Sequence, residues 1–481
     1  MNRNTSIATT ISAKEFLDLT VQAAIDESHV VLKKVQDIES RFPNNVLGKG
    51  LWRSCVDYID GIGFTLKEVL DHTLKPTPLD VQTWISAALN YITMCENGFE
   101  LNKMTNSMLP TVTTNLTQLL LNSLAISVVI RGGNNNNTPG FVDWNYSTLL
   151  SDLAQEKADV VVAQDGSGDF KTIQEAVDSA DSRRQSKRFV IYVKAGVYQE
   201  YVFIPKEVSY ITVLGDGINK TIITGDRFLG TVNADTLQQT STFQVWSRGF
   251  IARDITFQNT AGAEKHQAVA FLSGSDESAV YRCSIEGYQD TLYTTSYKQF
   301  YKECQIFGTV DFIFGNALAV FQDCETYFRT PVPHGGLVIT AHGRQNENQS
   351  TGYSLQGCKI AAAEDLKPIM DQYKKSFLGR PWFPYARVVY MQSFLDDLVD
   401  PKGWLDSEQS DYSGTCYYGE YENNGPGSPT SDRVKWDGYH VITDGKIAEE
   451  FTVDNFIEGS NWLPETSVPF TAGLKTLTVE H

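Results

Sequence analysis

A chain of 481 residues is longer than one hydrophobic core supports, so at least two domains are expected. Its 58 acidic residues outnumber 40 basic ones, giving a formal charge of −18, which excludes a nucleic-acid binder built on clustered Lys and Arg. A polyanionic partner must be met by local features, because bulk attraction is absent.

The opening residues, MNRNTSIATTISAKEF, lack the apolar core of a signal peptide, which leaves a cytosolic protein or a chain without its true start. Sequons at Asn4, Asn115, Asn136, Asn145, Asn219 and Asn348 permit secretion and glycosylation. From Ser12 to about Ile130, apolar residues recur three and four apart. LWRSCVDYIDGIGFTLKEVLDHTL (51–74) and DVQTWISAALNYITMCENGFE (80–100) carry the pattern, and an all-α up-and-down helical bundle is expected over 1–130. LTQLLLNSLAISVVI (116–130) is too short and too broken by Gln, Asn and Ser to span a bilayer; a buried helix is expected and no membrane partner. RGGNNNNTPG then opens a linker over 131–157.

Beyond Ala158 the texture changes to short β-branched and aromatic runs between Gly, Asn and Asp turns, after one helical segment, FKTIQEAVDSA. YRCSIEG, YKECQIFG, FQDCETYF and LQGCKIAA place Cys283, Cys304, Cys324 and Cys358 at matching positions, 21, 20 and 34 residues apart. The last gap holds an insertion, RTPVPHGGLVITAHGRQNENQ. A repeat with one strand signal per copy cannot bury its apolar face alone, so successive coils must stack. The fold expected over 158–475 is mainly β, a right-handed parallel β-helix.

Stacked strands lie about 4.8 Å apart, inside the Cα separation of roughly 4.4–6.8 Å that a disulfide tolerates. Cys283–Cys304 and Cys324–Cys358 are therefore candidate links between coils. The alternative is a ladder of reduced, buried thiols. Cys55 and Cys95, on facing helices, are a third candidate pair, which leaves Cys416 unpaired.

With a coil of about 21 residues, Asp290 and Asp311 fall at equivalent places on adjacent coils. Gln267 joins the same column one coil earlier, and Gln289 adjoins Asp290. Two carboxylates held so close cannot both ionise readily. Arg380, in SFLGRPWFPY, is the candidate cation; paired with Asp311, it leaves Asp290 as the neutral acid. Spacing alone does not assign the two roles. One ionised carboxylate, one protonated carboxylate and two amides suit acyl transfer, and two carboxylates also suit glycoside hydrolysis. Tyr288, Trp382 and Trp404 are expected as exposed aromatics that stack on sugar faces. The structural alternatives are coil-turn aspartates and core tryptophans. There is no G-x-S-x-G elbow and no close histidine pair, so neither a Ser–His hydrolase nor a metal or cofactor site is expected. GDGINK (215–220) lacks the third glycine of a dinucleotide fingerprint and is expected as a turn.

These residues resemble the pectin methylesterase family of carbohydrate esterases. The motifs, in chain order, are GVYQE (196–200), KHQAVAF (265–271), GYQDTLY (287–293), GTVDFIFGNA (308–317) and LGRPW (378–382), within a match over 160–474. The resemblance implies hydrolysis of the C6 methyl ester of homogalacturonan to acidic pectin and methanol, without a cofactor. It makes Asp311 the nucleophile, Asp290 the acid and then base, Gln267 and Gln289 the oxyanion hole, and Arg380 the group that orients Asp311. Tyr288, Trp382, Trp404 and Thr260 match substrate-binding positions. The helical region looks like the inhibitor-type, all-α four-helix-bundle domain preceding many plant members, and Cys55 with Cys95 fits that domain's second disulfide. The cysteine pair of its N-terminal hairpin is absent, and no dibasic cleavage site lies before Ala158. The implied partners are pectin, an intramolecular inhibitory contact and a proteinaceous inhibitor. The implied setting is a secreted, glycosylated monomer in the cell wall. The competing class is a pectin-docking regulatory protein without turnover, against which the Gln, Gln, Asp, Asp and Arg set argues.

Demethylesterification makes a polyanion, and a protein of charge −18 is repelled by that product unless salt screens it. Activity on pectin is therefore expected to rise from low to moderate ionic strength. A flat rate across that range counts against electrostatic repulsion by the product.

Overall fold

The computed structural model describes residues 12–37, 46–101, 109–133, 158–180, 187–231, 234–373, 375–407 and 410–476. Asn4, Asn136, Asn145 and most of the expected linker lie outside them. Two compact units are present, one helical and one β.

The helical unit holds α1 (Ala13–Asp37), α2 (Val46–Leu70), α3 (Pro78–Leu101) and α4 (Leu109–Gly133). On α1, Leu17, Val21, Ala24, Ile25, Ser28, Val31 and Val35 are buried, the three-and-four spacing of a single inward stripe. Two helices start on reciprocal caps. Ser12 and Glu15 exchange backbone-to-side-chain bonds at α1 (2.7 and 3.2 Å), as Thr77 and Asp80 do at α3 (2.8 and 3.1 Å), where Pro78 takes the first helical position. α1 packs on α2 and α4, and α3 on the same two, closing a four-helix bundle. A disulfide joins Cys55 of α2 to Cys95 of α3. α4 departs from expectation. Its segment Val112–Gly132 is long and apolar enough, by composition, to cross a membrane. Instead of the buried helix expected, only a third of that segment is buried: Leu116, Leu120, Ser123, Leu124 and Ser127 form one inward stripe, while Val128 and Val129 stay exposed.

The β unit is a parallel β-helix. Its strands form three sheets of 11, 8 and 7 members, and the strand pairs between named strands are parallel. Each complete coil contributes one strand to each sheet, and the terminal turns extend the 11-stranded sheet further, so side chains of one column repeat from coil to coil. Phe243, Phe257 and Phe271 show the result, packing in the interior with ring centroids 4.7–5.7 Å apart. Burial of each such ring contributes about 1.5–3 kcal/mol. One end is covered by the helix Ile173–Asp178, whose Thr172–Glu175 capping box fixes its start and whose Ile173, Ala176 and Val177 join the core. The presumed insertion between Cys324 and Cys358 is partly regular: it supplies the strand Leu337–His342 to the seven-stranded sheet. Asn115 and Asn219 are exposed and Asn348 is half-buried.

The two candidate inter-coil disulfides are absent, and the alternative of a reduced ladder holds. Cys283, Cys304, Cys324 and Cys358 are free and buried, as is Cys416. Each ladder thiol turns to backbone carbonyls instead: Cys304 Sγ to Val280 and Lys302 (3.3 and 3.4 Å), Cys324 to Tyr301 (3.4 Å), Cys358 to Phe321 (3.3 Å) and Cys283 to Tyr281 (3.4 Å). Strand spacing permits a cross-link, but the thiols serve as small core groups with their own acceptors. Burial pushes the Cys283 thiol up to about 12, which keeps it unreactive. Alkylation of the unfolded, unreduced protein should modify five cysteines, and all seven after reduction, by intact mass. A single modified cysteine before reduction would restore the cross-linked ladder.

Candidate active site

The seven-stranded sheet runs Val202–Ile204, Phe243–Val245, Phe271–Ser273, Leu292–Thr294, Ile313–Gly315, Leu337–His342 and Ser376–Pro381. Its register aligns Leu292 with Ile313, Ile313 with Thr340, and Thr340 with Gly379. Asp290 and Asp311 each stand two residues before an aligned pair member, so the ladder stacks them on successive coils. Both have positive φ, 61° and 50°, a conformation that Asp tolerates better than bulkier residues. The Asp290 N–H donates to the Val310 carbonyl at 3.1 Å, which ties the two turns together. Their relative exposures are 7% and 8%.

Arg380 belongs to the last strand, aligned with Ala341, and grips Asp311 with two nitrogens. Nε lies 2.9 and 3.2 Å from the two carboxylate oxygens, and Nη2 lies 2.6 Å from Oδ2. A forked ion pair of this kind is directional as well as strong. Asp290 receives no hydrogen bond to its carboxyl among the described residues. Burial, then the charge of Asp311, hold its carboxyl well above the usual range, against the partial counter-effect of Arg380. One carboxylate is thus ion-paired and its neighbour is biased toward its protonated form.

Gln267 departs from the expected column. It bridges to Gln289, not to Asp290. The cause is one extra residue: from Gln267 to Phe271 the chain spends five positions opposite the four from Gln289 to Leu292, a bulge that shifts the ladder by one. The bulge places the two glutamines side by side. Among the described residues neither side-chain amide bonds to another protein group, so both retain free N–H donors.

The aromatic expectations divide. Tyr288 is half-buried with the Arg329 guanidinium 4.0 Å from its ring centroid. Trp382 is half-buried, edge-on to Phe314 at 6.0 Å. Trp404 is not an exposed platform. It is 1% exposed and stacks on Tyr418 at 4.2 Å, in a segment that bridges along the edge of the Arg380 strand. Thr260 is exposed, and its hydroxyl donates to the Gly225 carbonyl at 3.1 Å, apart from the carboxylate pair. Sequence reasoning missed Tyr293. It stacks on Phe314 at 4.2 Å in the column that ends at Arg380, and burial and the Asp290 charge raise its hydroxyl pKa. The signal was available, since Tyr293 and Phe314 repeat with the same period as the aspartates. GDGINK is a turn closed by Lys220 N–H to Gly217 O at 3.0 Å. Among the described residues, no three His, Cys, Asp or Glu side chains group as a metal site.

A buried neutral acid beside an ion-paired carboxylate, with two amide donors adjacent, has the parts for nucleophilic attack on an ester, protonation of its leaving group and stabilisation of an oxyanion. Residues 159–460 match the pectinesterase family, and residues 2–126 match the plant invertase/pectin methylesterase inhibitor family. The chain is 43% identical over 480 residues to pectinesterase 2 of Citrus sinensis, across 98% of this chain and 91% of that one. The structure of pectin methylesterase from carrot is similar with 48% identity and a TM-score of 0.64, covering 66% of this chain and 99% of that one. A pectin methylesterase variant in complex with a hexasaccharide is similar with 26% identity and a TM-score of 0.53, again over 66% and 99%.

The protonation state of Asp290 has a consequence for stability. Its folded-state pKa lies above the unfolded value, so the folded state holds the extra proton and stability falls as pH rises from the ordinary carboxylate range toward the folded pKa. Asp290→Asn removes that dependence. Its thermal midpoint should exceed that of the parent protein by more at pH 7 than at pH 4; an equal difference at both would exclude a proton on Asp290.

Proposed function

Because the chain belongs to the pectinesterase family and is a carboxylic ester hydrolase of that class, we propose that it removes methyl groups from the C6 esters of homogalacturonan, with Asp311 as nucleophile and Asp290 as acid and then base. The observation that carries this reading is the contrast between neighbours: Asp311 gripped by Arg380, and Asp290 buried beside it without a hydrogen bond.

Asp311 attacks the ester carbonyl carbon, and the resulting oxyanion accepts hydrogen bonds from the amides of Gln267 and Gln289. The C–O bond to the methoxy group breaks, and Asp290 gives its proton to the departing oxygen, releasing methanol. An anhydride between Asp311 and the galacturonyl carbon remains. Asp290, now ionised, takes a proton from water as the water oxygen attacks that carbon. Cleavage of the anhydride returns Asp311 as a carboxylate and leaves galacturonic acid, which loses its proton to solvent. Arg380 orients Asp311 throughout. Tyr288 and Trp382 line the path of the sugar chain, with Thr260 further along it, while the buried Trp404 supports the strand beneath. The division is a helical inhibitor-type domain over 1–130, whose last helix runs on to Gly133, a linker from there to 157 and the esterase over 158–475, with wall pectin outside the cell as the substrate.

Asp311→Ala and Asp290→Ala should each lower methanol release from methylesterified pectin by at least about 10³-fold, and Gln289→Ala by about 10²-fold, with folding retained. Near-parental methanol release by either aspartate variant would refute the assignment. New reducing ends without methanol would transfer the site to glycoside hydrolysis. Release by residues 158–481 but not by the full chain would show that the helical unit inhibits its own esterase.

A further inference from the structure

The strand that carries Arg380, Ser376–Pro381, is the last of its sheet. The strand Leu337–His342 pairs with it on one side. The irregular segment 399–405 lies on the other. It bridges Ser376 to Val399 and Gly379 to Trp404, with Asp400 N–H to Ser376 O at 2.8 Å, Leu378 N–H to Gly403 O at 2.8 Å and Leu405 N–H to Gly379 O at 3.0 Å. A segment without regular structure does not hold its own position, so the placement of Arg380 depends on what fixes residues 399–405.

A second ion pair fixes them. Arg433 is 2% exposed and Glu420 is 3% exposed. Nε and Nη2 of Arg433 meet the two carboxylate oxygens of Glu420 at 2.8 and 3.2 Å. The same guanidinium donates to Pro401 O at 3.1 Å and Gly427 O at 2.7 Å, and Val434 N–H reaches Lys402 O at 3.1 Å. Gly403 has φ 71°, and a Cβ there would collide with Arg433 Cδ, so guanidinium stem and segment are in direct contact. Glu420 Oε1 also accepts from Trp404 Nε1 at 3.3 Å and from Tyr439 at 3.1 Å. From the interior, the Tyr390 hydroxyl and Thr340 Oγ1 both donate to the Leu378 carbonyl, at 2.8 and 2.9 Å, two residues before Arg380.

Two buried charges are a poor stabilising device, since an apolar pair of similar volume is often as stable or more so. Their value lies in direction. We propose that Arg433 and Glu420 are positioning residues: their buried ion pair clamps residues 401–404 against the Arg380 strand and so sets the Arg380–Asp311 geometry. This rests on the reading that Arg380 holds Asp311 for attack. Glu420 and Arg433 touch no reacting atom in this scheme, and the effect passes through Trp404 and the strand.

The double variant Glu420→Gln with Arg433→Met removes both charges, and leaves the Pro401 and Gly427 carbonyls without that donor. It should fold with a thermal midpoint lowered by that loss, and lower kcat for methanol release by about 10²-fold with KM little changed. Arg433→Lys with Glu420 intact keeps the charge but loses the fork, and should fall between. Parental kcat in the folded double variant would overturn the proposal. If that variant does not fold, Arg433→Lys decides: parental kcat there, in a folded protein that has lost the fork, would overturn the proposal equally. Arg380→Lys in the same assay separates the two levels. Parental kcat in Arg380→Lys refutes the role of Arg380 itself, whereas a fall there without a fall in the double variant refutes only the clamp.

Discussion

Backbone hydrogen bonds between successive coils tie each strand to the next in a parallel ladder, and that ladder decides where every side chain of the site stands. The alignment of Leu292 with Ile313 stacks Asp290 over Asp311, and the alignment of Ala341 with Arg380 carries the guanidinium to the same face. A slip of one residue would turn each of these side chains to the opposite face. The site therefore has the rigidity of the whole stack. An irregularity in the ladder, the bulge between Gln267 and Phe271, brings the two glutamines into register with each other.

The charge distribution follows the same logic. The chain is acidic overall, yet two arginines are drawn inward, each against one carboxylate. Arg380 and Asp311 keep some contact with solvent, whereas Arg433 and Glu420 have nearly none. The outer pair leaves Asp290 beside a neutralised neighbour, so burial dominates its ionisation. The inner pair satisfies carbonyls of an irregular segment that would otherwise be buried without donors, namely those of Pro401 and Gly427. Polar groups thus form two linked layers, one aimed at the substrate face and one behind it.

Much of the architecture is legible in the residues. Three-and-four spacing marks the bundle, and the recurring cysteines mark the coil length. Four features are not, each for a physical reason. The 324–358 gap hides a strand, because one strand of a site sheet, LVITAH, looks like any short apolar run. Strand spacing permits disulfides, but only the direction of each thiol decides, and these turn to carbonyls. Trp404 resembles an exposed sugar platform in PKGWL, yet its exposure depends on segments near Tyr418 and Glu420 that fold over it. Arg433 carries no local signal at all, since its partner Glu420 and its carbonyl acceptors come from separate turns.

The sequence by itself determined the periodicities: a helical bundle, a stacked β unit, and two aspartates one coil apart with an arginine to pair with one of them. Those follow from local spacing, which the backbone converts directly into faces and columns. Only the tertiary structure decided which aspartate the arginine grips, where the ladder slips by one, which aromatics are covered and which buried ion pair lies against the segment beside the Arg380 strand. These depend on contacts between residues distant along the chain, and no local pattern encodes the direction of a side chain toward a partner that folding alone brings near.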